Sequence, residues 1–284
     1  MMKNKGIIAI NKSENWTSFD VVNKIKHILH IRQVGHLGTL DPMATGVLLV
    51  TVGKATKLFD LMQEKVKVYD AEFEFGYSTD TLDSTGKIID RTTKIPTIDE
   101  IQDTLHKFIG KIEQIPPKYS AKNVNGARAY DLARSGVEFE LKPKQVEIFK
   151  IELISYYANI LKLEITCGSG TYIRAIGRDI AQELNSLATM TRLVRTKVGD
   201  VSLENCQKID EFSSENIDSY IKPISEILNL PTIEFDDIQT KKILNGQTLI
   251  IEKEDGIYQL KDEIDTIAIV RVEKNKAKMS LFMA

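Results

Sequence analysis

The sequence has little of what several common protein classes require. Its 284 residues include two cysteines, Cys167 and Cys206, whose spacing suggests neither a disulfide framework nor a zinc site. No apolar run approaches the ~18 residues of a membrane-spanning helix. The opening residues, MMKNKGIIAINK, show no signal peptide. We therefore expect a soluble cytoplasmic protein that binds neither a membrane nor a metal ion.

Overall charge also gives little information, because the formal net charge is −2. The distribution of charge is more informative: residues 1–57 carry eight Lys and Arg against three Asp and Glu, and residues 116–150 carry seven against four. Such segments are typical of surfaces that bind an anionic partner, although ordinary scatter of surface lysines produces the same counts. The GSGT stretch at residues 168–171 matches neither the P-loop nor the dinucleotide-binding fingerprint.

The order of the predicted elements indicates the fold class. Helical and alternating patterns are interleaved without a regular strand–helix repeat, which favours an α+β fold with a mixed, largely antiparallel sheet and flanking helices. After Pro223 the pattern changes to short β segments such as GIYQL and TIAIVRV. We therefore predict two domains, residues 1–225 and a small β-rich domain of residues 226–284.

One acidic residue, Asp41, lies in the stretch GHLGTLDPMATGVLLV, residues 35–50. An Asp-Pro pair is commonly a structural turn, since the carboxylate accepts hydrogen bonds from the following amides. Here, however, Gly38 and Gly46 flank the acid, and glycines let the backbone approach a ligand closely. Because a predicted buried strand follows, Asp41 would also be rigidly held, as a nucleophile or general base requires.

Two further residues are candidates from their positions. Arg174 falls in the first turn of a predicted helix, where Thr171 is a plausible cap. The helix dipole opposes a cation there, so a nearby anion is a natural partner. Tyr69 lies on the core-facing side of the alternating strand VYDAEFEFG. Each also has a plain structural reading, as a surface ion pair for Arg174 and as a core aromatic for Tyr69.

Several stretches together resemble one family. GHLGTLDPMATGVLLV is similar in order and spacing to the hallmark motif of the TruB-type tRNA pseudouridine synthases. KVYDAEF resembles the family's tyrosine strand, and STDTLDSTG resembles the loop behind it. IPPKYSAKNVNGARAYDLARSG resembles an insertion that clamps RNA, which we place at residues 116–145. GTYIRAIGRDI and LVRTKVG resemble two later motifs, and the C-terminal tail resembles a small PUA-type domain.

The resemblance implies an activity and three catalytic residues. The family isomerises uridine 55 in the T-loop of tRNA to pseudouridine without a metal or cofactor. Asp41 matches the catalytic aspartate, and Arg174 matches the arginine that pairs with that carboxylate. Tyr69 matches the tyrosine that stacks on the target base and is a candidate for the late proton removal. The expected partner is the T-arm stem-loop of tRNA, and we expect a monomeric enzyme.

The resemblance also implies substrate-binding residues. His36 matches the histidine that fills the space left by the flipped nucleotide, while Tyr172 and Leu193 match positions in the pocket wall. Lys12 matches the lysine of the family's Lys-Pro-x-Gly element, which buttresses the site.

The sequence departs from the family pattern at three positions. Ser13 and Asn15 replace the proline and glycine of the Lys-Pro-x-Gly element, and Val194 stands where an arginine is common.

Two other functions are compatible with parts of the sequence. A basic surface would also serve an RNA chaperone that unfolds and refolds the tRNA elbow. A glycosidase would use carboxylates as well, but it normally needs two acids about 5–10 Å apart. No second acid shares the Asp41 motif.

Overall fold

The computed structural model describes residues 5–63, 65–120, 122–124 and 126–283. The strands are, in chain order, β1 (Gly6–Lys12), β2 (Val34–His36), β3 (Thr45–Val52), β4 (Lys67–Phe75), β5 (Tyr77–Thr79), β6 (Ile88–Arg91), β7 (Gly110–Gln114), β8 (Asn123–Val124), β9 (Ala127–Arg128), β10 (Lys144–Tyr157), β11 (Ile160–Cys167), β12 (Ala188–Val198), β13 (Val201–Ser202), β14 (Gln207–Lys208), β15 (Leu249–Ile250), β16 (Gly256–Lys261), β17 (Thr266–Glu273) and β18 (Lys276–Phe282). The α-helices are α1 (Ser18–Leu29), α2 (Phe59–Gln63), α3 (Ile98–Leu105), α4 (Ala129–Arg134), α5 (Ile173–Glu183), α6 (Ile217–Tyr220), α7 (Ile224–Leu228) and α8 (Asp237–Leu244).

Local sequence explains where the main helices begin. Thr17 caps α1: its hydroxyl accepts the Asp20 N–H, and the Asp20 carboxylate accepts the Thr17 N–H. Thr97 and Glu100 form the same reciprocal arrangement at the start of α3, as the sequence predicts. Each capping box satisfies backbone donors that would otherwise lack a partner at the helix start.

The chain divides into two compact units. The first comprises residues 1–41, 48–63 and 204–284, and the second comprises residues 42–47 and 64–203. Strand β3 contributes to both, because its residues up to Val47 belong to the second unit and the rest to the first.

In the first unit, β1 lies between β14 and β3, and β2 pairs antiparallel with β3. A separate four-stranded sheet in the order β15-β18-β17-β16 has its own core, which includes Ile243, Tyr258 and Val270. The predicted C-terminal β-rich region is therefore confirmed. The domain boundary near residue 225 and the PUA-type assignment stay predictions.

In the second unit, the strands follow the order β3-β12-β4-β11-β10-β7. The first residues of β3 pair parallel with β12, and the remaining neighbours pair antiparallel. The expected α+β fold with a mixed, largely antiparallel sheet is confirmed. Helix α5 packs on this sheet, since a Cβ added to Gly177 would lie 2.2 Å from the ring of Phe73 on β4.

Three local predictions need correction or fall outside the description. The stretch after β4 is not a plain polar loop, because β5 and β6 pair across it. The helical spacing of Ile98, Ile101, Leu105 and Phe108 predicts a helix that stops at Gly110, but α3 ends at Leu105 and a 3₁₀ turn over His106–Phe108 follows. The Asn125-Gly126 pair predicts a turn. Asn125 lies outside the described residues, although β8 and β9 do pair antiparallel.

Candidate active site

The backbone before Asp41 is fixed by a residue far away in sequence. The Ser18 hydroxyl accepts the Leu40 N–H at 2.9 Å and donates to the Leu40 carbonyl at 3.3 Å. Ser18 and Leu40 are both buried, so these bonds are shielded from water. The half-buried Asp41 follows directly. Its position therefore depends on α1, to which Ser18 belongs.

Ser18 is a residue that sequence reasoning missed as part of the site. The sequence indicates that either Thr17 or Ser18 could cap α1, and in the structure Thr17 is the cap. The hydroxyl of Ser18 is then available for Leu40, 22 positions along the chain. A serine just inside a helix start gives no signal that would reveal such a contact.

His36 and Lys12 also lie in the first unit. His36 ends β2, opposite Val50 of β3. Lys12 is fully buried, and its ammonium donates to the carbonyls of Ser13 and Trp16 at 2.9 and 2.6 Å. Lys12 therefore organises the turn that precedes α1, which agrees with a buttressing role.

The turn after Lys12 explains one departure from the family pattern. Asn15 has a φ of 65°, in the left-handed region. Glycine reaches this region without steric cost, and asparagine tolerates it better than most residues. Asn15 therefore occupies a backbone conformation that glycine would also adopt without strain.

Tyr69 and Leu193 lie on one face of the sheet in the second unit. Tyr69, on β4, is 8% exposed, and it lies opposite Ile165 of β11 and Arg195 of β12. Leu193 lies opposite Ala71, two pairs further along β4 and β12 and therefore on the same face. Directly opposed residues of antiparallel strands project to the same side. The core-facing position predicted for Tyr69 is confirmed.

Arg195 is a second residue that sequence reasoning did not single out. It is 1% exposed, and its Nε donates to the Val47 carbonyl at 2.7 Å. Gly46, which pairs with Arg195, has a φ of +106°, and a Cβ there would lie 2.3 Å from the Arg195 carbonyl oxygen. The close approach of β12 therefore requires glycine at position 46, the second residue of β3.

Arg174 is held by a polar network within the second unit. Its guanidinium donates to the carbonyls of Thr81 and Tyr119 at 2.8 and 3.0 Å, and it lies 3.6 Å from the Asp83 carboxylate. Both charged side chains are 6% exposed. The structure thus places an anion, Asp83, beside Arg174 in the first turn of α5, and sequence reasoning missed this residue. The predicted pairing of Arg174 with Asp41 stays a prediction.

Asp83 is itself oriented by its own loop. Its carboxylate accepts hydrogen bonds from the hydroxyls of Thr81 and Thr85 and from the Thr85 N–H, at 2.8, 2.5 and 3.0 Å. Threonines two positions before and after an aspartate form a recognisable turn pattern. That pattern could have identified Asp83 as a fixed carboxylate, although not as the neighbour of Arg174.

Tyr172 occupies the cap position of α5, and the predicted cap at Thr171 is wrong. The Thr171 hydroxyl donates to the Gly168 carbonyl at 3.1 Å instead. The buried Gln114 amide completes the helix start: its oxygen accepts the Tyr172 N–H at 2.9 Å, and its nitrogen donates to the Tyr172 carbonyl at 3.2 Å. Gln114 therefore fixes the backbone of Tyr172.

The structure thus groups the predicted residues into two sets. Lys12, His36 and Asp41 lie in the first unit; Tyr69, Tyr172, Arg174 and Leu193 lie in the second. The functional roles assigned to them stay predictions. In the described part of the chain, no three His, Cys, Asp or Glu side chains cluster as a metal site. Among the described residues, no helix is long and apolar enough to cross a membrane.

Comparison with known proteins identifies the family. A family described as TruB family pseudouridylate synthase (N terminal domain) matches residues 26–173. The chain is 42% identical to the tRNA pseudouridine synthase B of Caldanaerobacter subterraneus subsp. tengcongensis, with 85% of each chain covered. It is 41% identical to that of Clostridium kluyveri, over 95% of this chain and 93% of the relative.

A solved structure shares the fold. The chain is 20% identical to one in the crystal structure of the archaeal box H/ACA sRNP Nop10-Cbf5 complex, with a TM-score of 0.72 over 99% of this chain and 86% of the other. This likeness shows a shared fold. The family match and the relatives of about 40% identity place the chain in the TruB family of pseudouridylate synthases.

Proposed function

We propose that this enzyme isomerises uridine 55 in the T-loop of tRNA to pseudouridine, with Asp41 as the reacting carboxylate. One observation carries the assignment of the acid: Asp41 follows a backbone position that the buried Ser18 hydroxyl holds on both its N–H and its carbonyl. A reacting group must be held close to its productive geometry, and the two bonds to Leu40 support this role because they restrict the backbone just before Asp41. The names of the relatives, tRNA pseudouridine synthase B, support tRNA as the substrate.

The reaction is an isomerisation, so its atoms balance without a co-reactant. The bond between uracil N1 and ribose C1′ breaks, the ring turns, and a new bond joins C5 to C1′. The proton on C5 leaves, and N1 gains a proton. Asp41 either adds covalently to the base or to C1′, or acts only as a base. These routes are alternatives within the same proposal.

Access to the base requires the uridine to leave its stack, at a cost of a few kcal/mol. Stacking on an aromatic side chain offsets such a cost by ~1–3 kcal/mol per base. In the proposal Tyr69 supplies that aromatic surface and takes part in the late proton removal. Leu193 and Tyr172 line the pocket, Lys12 supports the N-terminal turn, and His36 fills the place that the uridine leaves.

The experiment that tests the proposal uses an unmodified tRNA transcript. After incubation with the enzyme, chemical mapping of pseudouridine is expected to show one modified position, uridine 55. A transcript with cytidine at that position serves as the control and is expected to stay unmodified. Modification at another uridine would contradict the proposed specificity, and no pseudouridine in any tRNA would contradict the proposed substrate.

A role in tRNA folding stays a separate prediction. An Asp41→Ala variant that binds tRNA without modifying it allows the two activities to be separated. If the chaperone role is correct, this variant accelerates the folding of a denatured tRNA as well as wild type does. A variant that binds tRNA and leaves its folding rate unchanged would contradict it.

A further inference from the structure

A buried lysine, Lys67, lies beside Tyr69 and has no part in the mechanism described so far. Lys67 begins β4 and is 7% exposed. It lies two positions before Tyr69, so both project from the same side of the strand, roughly 6–7 Å apart at their Cα atoms. Its opposite neighbour on β11 is Cys167, and that of Tyr69 on β12 is Arg195. All four side chains therefore share one face of the sheet.

The charges on this face are mainly positive near neutral pH. Burial and the nearby Arg195 lower the pKa of Lys67 to about 8, and the Cys167 thiol acts weakly in the opposite direction. Burial raises the pKa of Cys167 to about 11, so this thiol is neutral at pH 7. The guanidinium of Arg195 stays charged throughout. Two cations therefore flank the tyrosine that the proposed function places against the uracil ring.

Keeping an ammonium in such a place is costly for stability. A buried cation loses its hydration, and a second cation nearby adds repulsion. Burial and repulsion therefore disfavour the charged form of Lys67, and buried groups whose pKa is shifted in this way are often functional.

We propose that the Lys67 ammonium stabilises the negative charge that the uracil ring carries while it is detached from the ribose. The inference rests on the proposed function. When the bond between N1 and C1′ breaks, its electron pair stays on the ring, which becomes an anion until C5 bonds to C1′. A cation fixed in a buried site stabilises such a charge more strongly than water does, because it needs no reorganisation.

The test compares single-turnover kinetics of wild type, Lys67→Met and Lys67→Arg on unmodified tRNA. Lys67→Met is expected to lower the rate of the chemical step about 100-fold, with tRNA affinity within about threefold of wild type. Thermal unfolding of the variant is expected to be cooperative, which shows that the loss of rate is not a loss of folding. Lys162→Met, on β11 and half-exposed, is the matched control and is expected to keep the wild-type rate.

The pH profile provides a second readout. The ammonium of wild type is lost as pH rises through about 8, so the rate is expected to fall above that pH. In Lys67→Arg the charge persists to far higher pH, so the variant is expected to be more active than Lys67→Met and to keep its rate at pH 9.

Each outcome distinguishes the two proposals. If wild type forms pseudouridine and Lys67→Met does so within twofold of its rate, the Lys67 proposal is wrong while the proposed function stands. If Lys67→Met does not fold, a wild-type rate that is flat between pH 7 and pH 9.5 overturns the Lys67 proposal. If wild type forms no pseudouridine in tRNA, the proposed function itself fails.

Discussion

The sheet face that carries Tyr69 and the segment from residue 122 to residue 145 differ sharply in burial, although both belong to the second unit. On the sheet, Lys67, Tyr69 and Leu193 are between 5% and 8% exposed. In the segment, Ala129 is the one buried side chain among those described, and Tyr130 is 45% exposed. The first region suits chemistry that needs fixed geometry, whereas the second suits capture of a large anionic partner.

The exposed segment still has local structure. The β8–β9 hairpin is followed by α4, and the ring of Tyr130 meets that of Tyr119, which precedes the segment, edge to face with centroids 6.0 Å apart. The cations of the segment are Lys122, Arg128, Arg134, Lys142 and Lys144. If the comparison is correct, substitutions in the sheet region lower the rate of the chemical step, whereas substitutions in the segment weaken RNA binding.

Apart from substitution of Asp41 itself, the largest effect is expected for Arg174→Lys. A lysine ammonium cannot reproduce the planar group that reaches the carbonyls of both Thr81 and Tyr119 and lies beside Asp83. A displacement of about 1 Å in an active site costs about 100-fold in rate, and single-turnover kinetics would measure that loss. Arg178→Lys, one turn further along α5, is the control and is expected to stay within about threefold of wild type. Equal losses in the two variants would indicate a general effect on α5.

An intermediate effect is expected for reversal of charge in the exposed segment. The double variant Lys122→Glu, Arg128→Glu loses two cations in the proposed RNA-binding region, so tRNA affinity is expected to fall at least 10-fold. The plot of log affinity against log salt concentration has a negative slope, and this slope is expected to become shallower by about 1 for each lost phosphate contact. The bound complex is expected to react at the wild-type rate. Lys208→Glu, on β14, is the control, and a similar loss of affinity there would point to overall charge.

The smallest effect is expected for Ser18→Ala. Loss of the two hydrogen bonds to Leu40 is expected to lower the free energy of unfolding by about 1–2 kcal/mol and the rate about fivefold, by loosening the backbone before Asp41. Thr17→Ala is the control, because it removes the cap of α1 at a cost of about 1 kcal/mol and leaves the Leu40 contact intact. For each variant, denaturant unfolding measures the free energy of unfolding and single-turnover kinetics measure the rate of the chemical step. Equal rates in the two variants would show that the Ser18 contact contributes only to stability.

Local patterns predicted a substantial part of this structure. The alternation in VYDAEFEFG identified the buried side of β4, and with it the placement of Tyr69, because each strand residue projects opposite to its neighbour. The Thr97–Glu100 capping box was equally visible, since all its atoms lie within four residues. The family motif supplied the candidate acid.

Contacts between distant positions could not be predicted in this way. Ser18 and Leu40 are 22 positions apart, Gln114 and Tyr172 are 58 apart, and Arg174 and Thr81 are 93 apart. Propensity and periodicity describe neighbours in the chain, whereas these partners are selected by the packing of complete elements. For the same reason the sequence did not identify Asp83 as a neighbour of Arg174.

The central claim, that the carboxylate of Asp41 carries out the reaction, is tested most directly by Asp41→Ala. Pseudouridine formation at uridine 55 of an unmodified transcript is expected to fall by about 10⁴-fold, while the dissociation constant for tRNA stays within about threefold of wild type. An Asp41→Ala enzyme that converts this uridine at a rate near that of wild type would contradict the account.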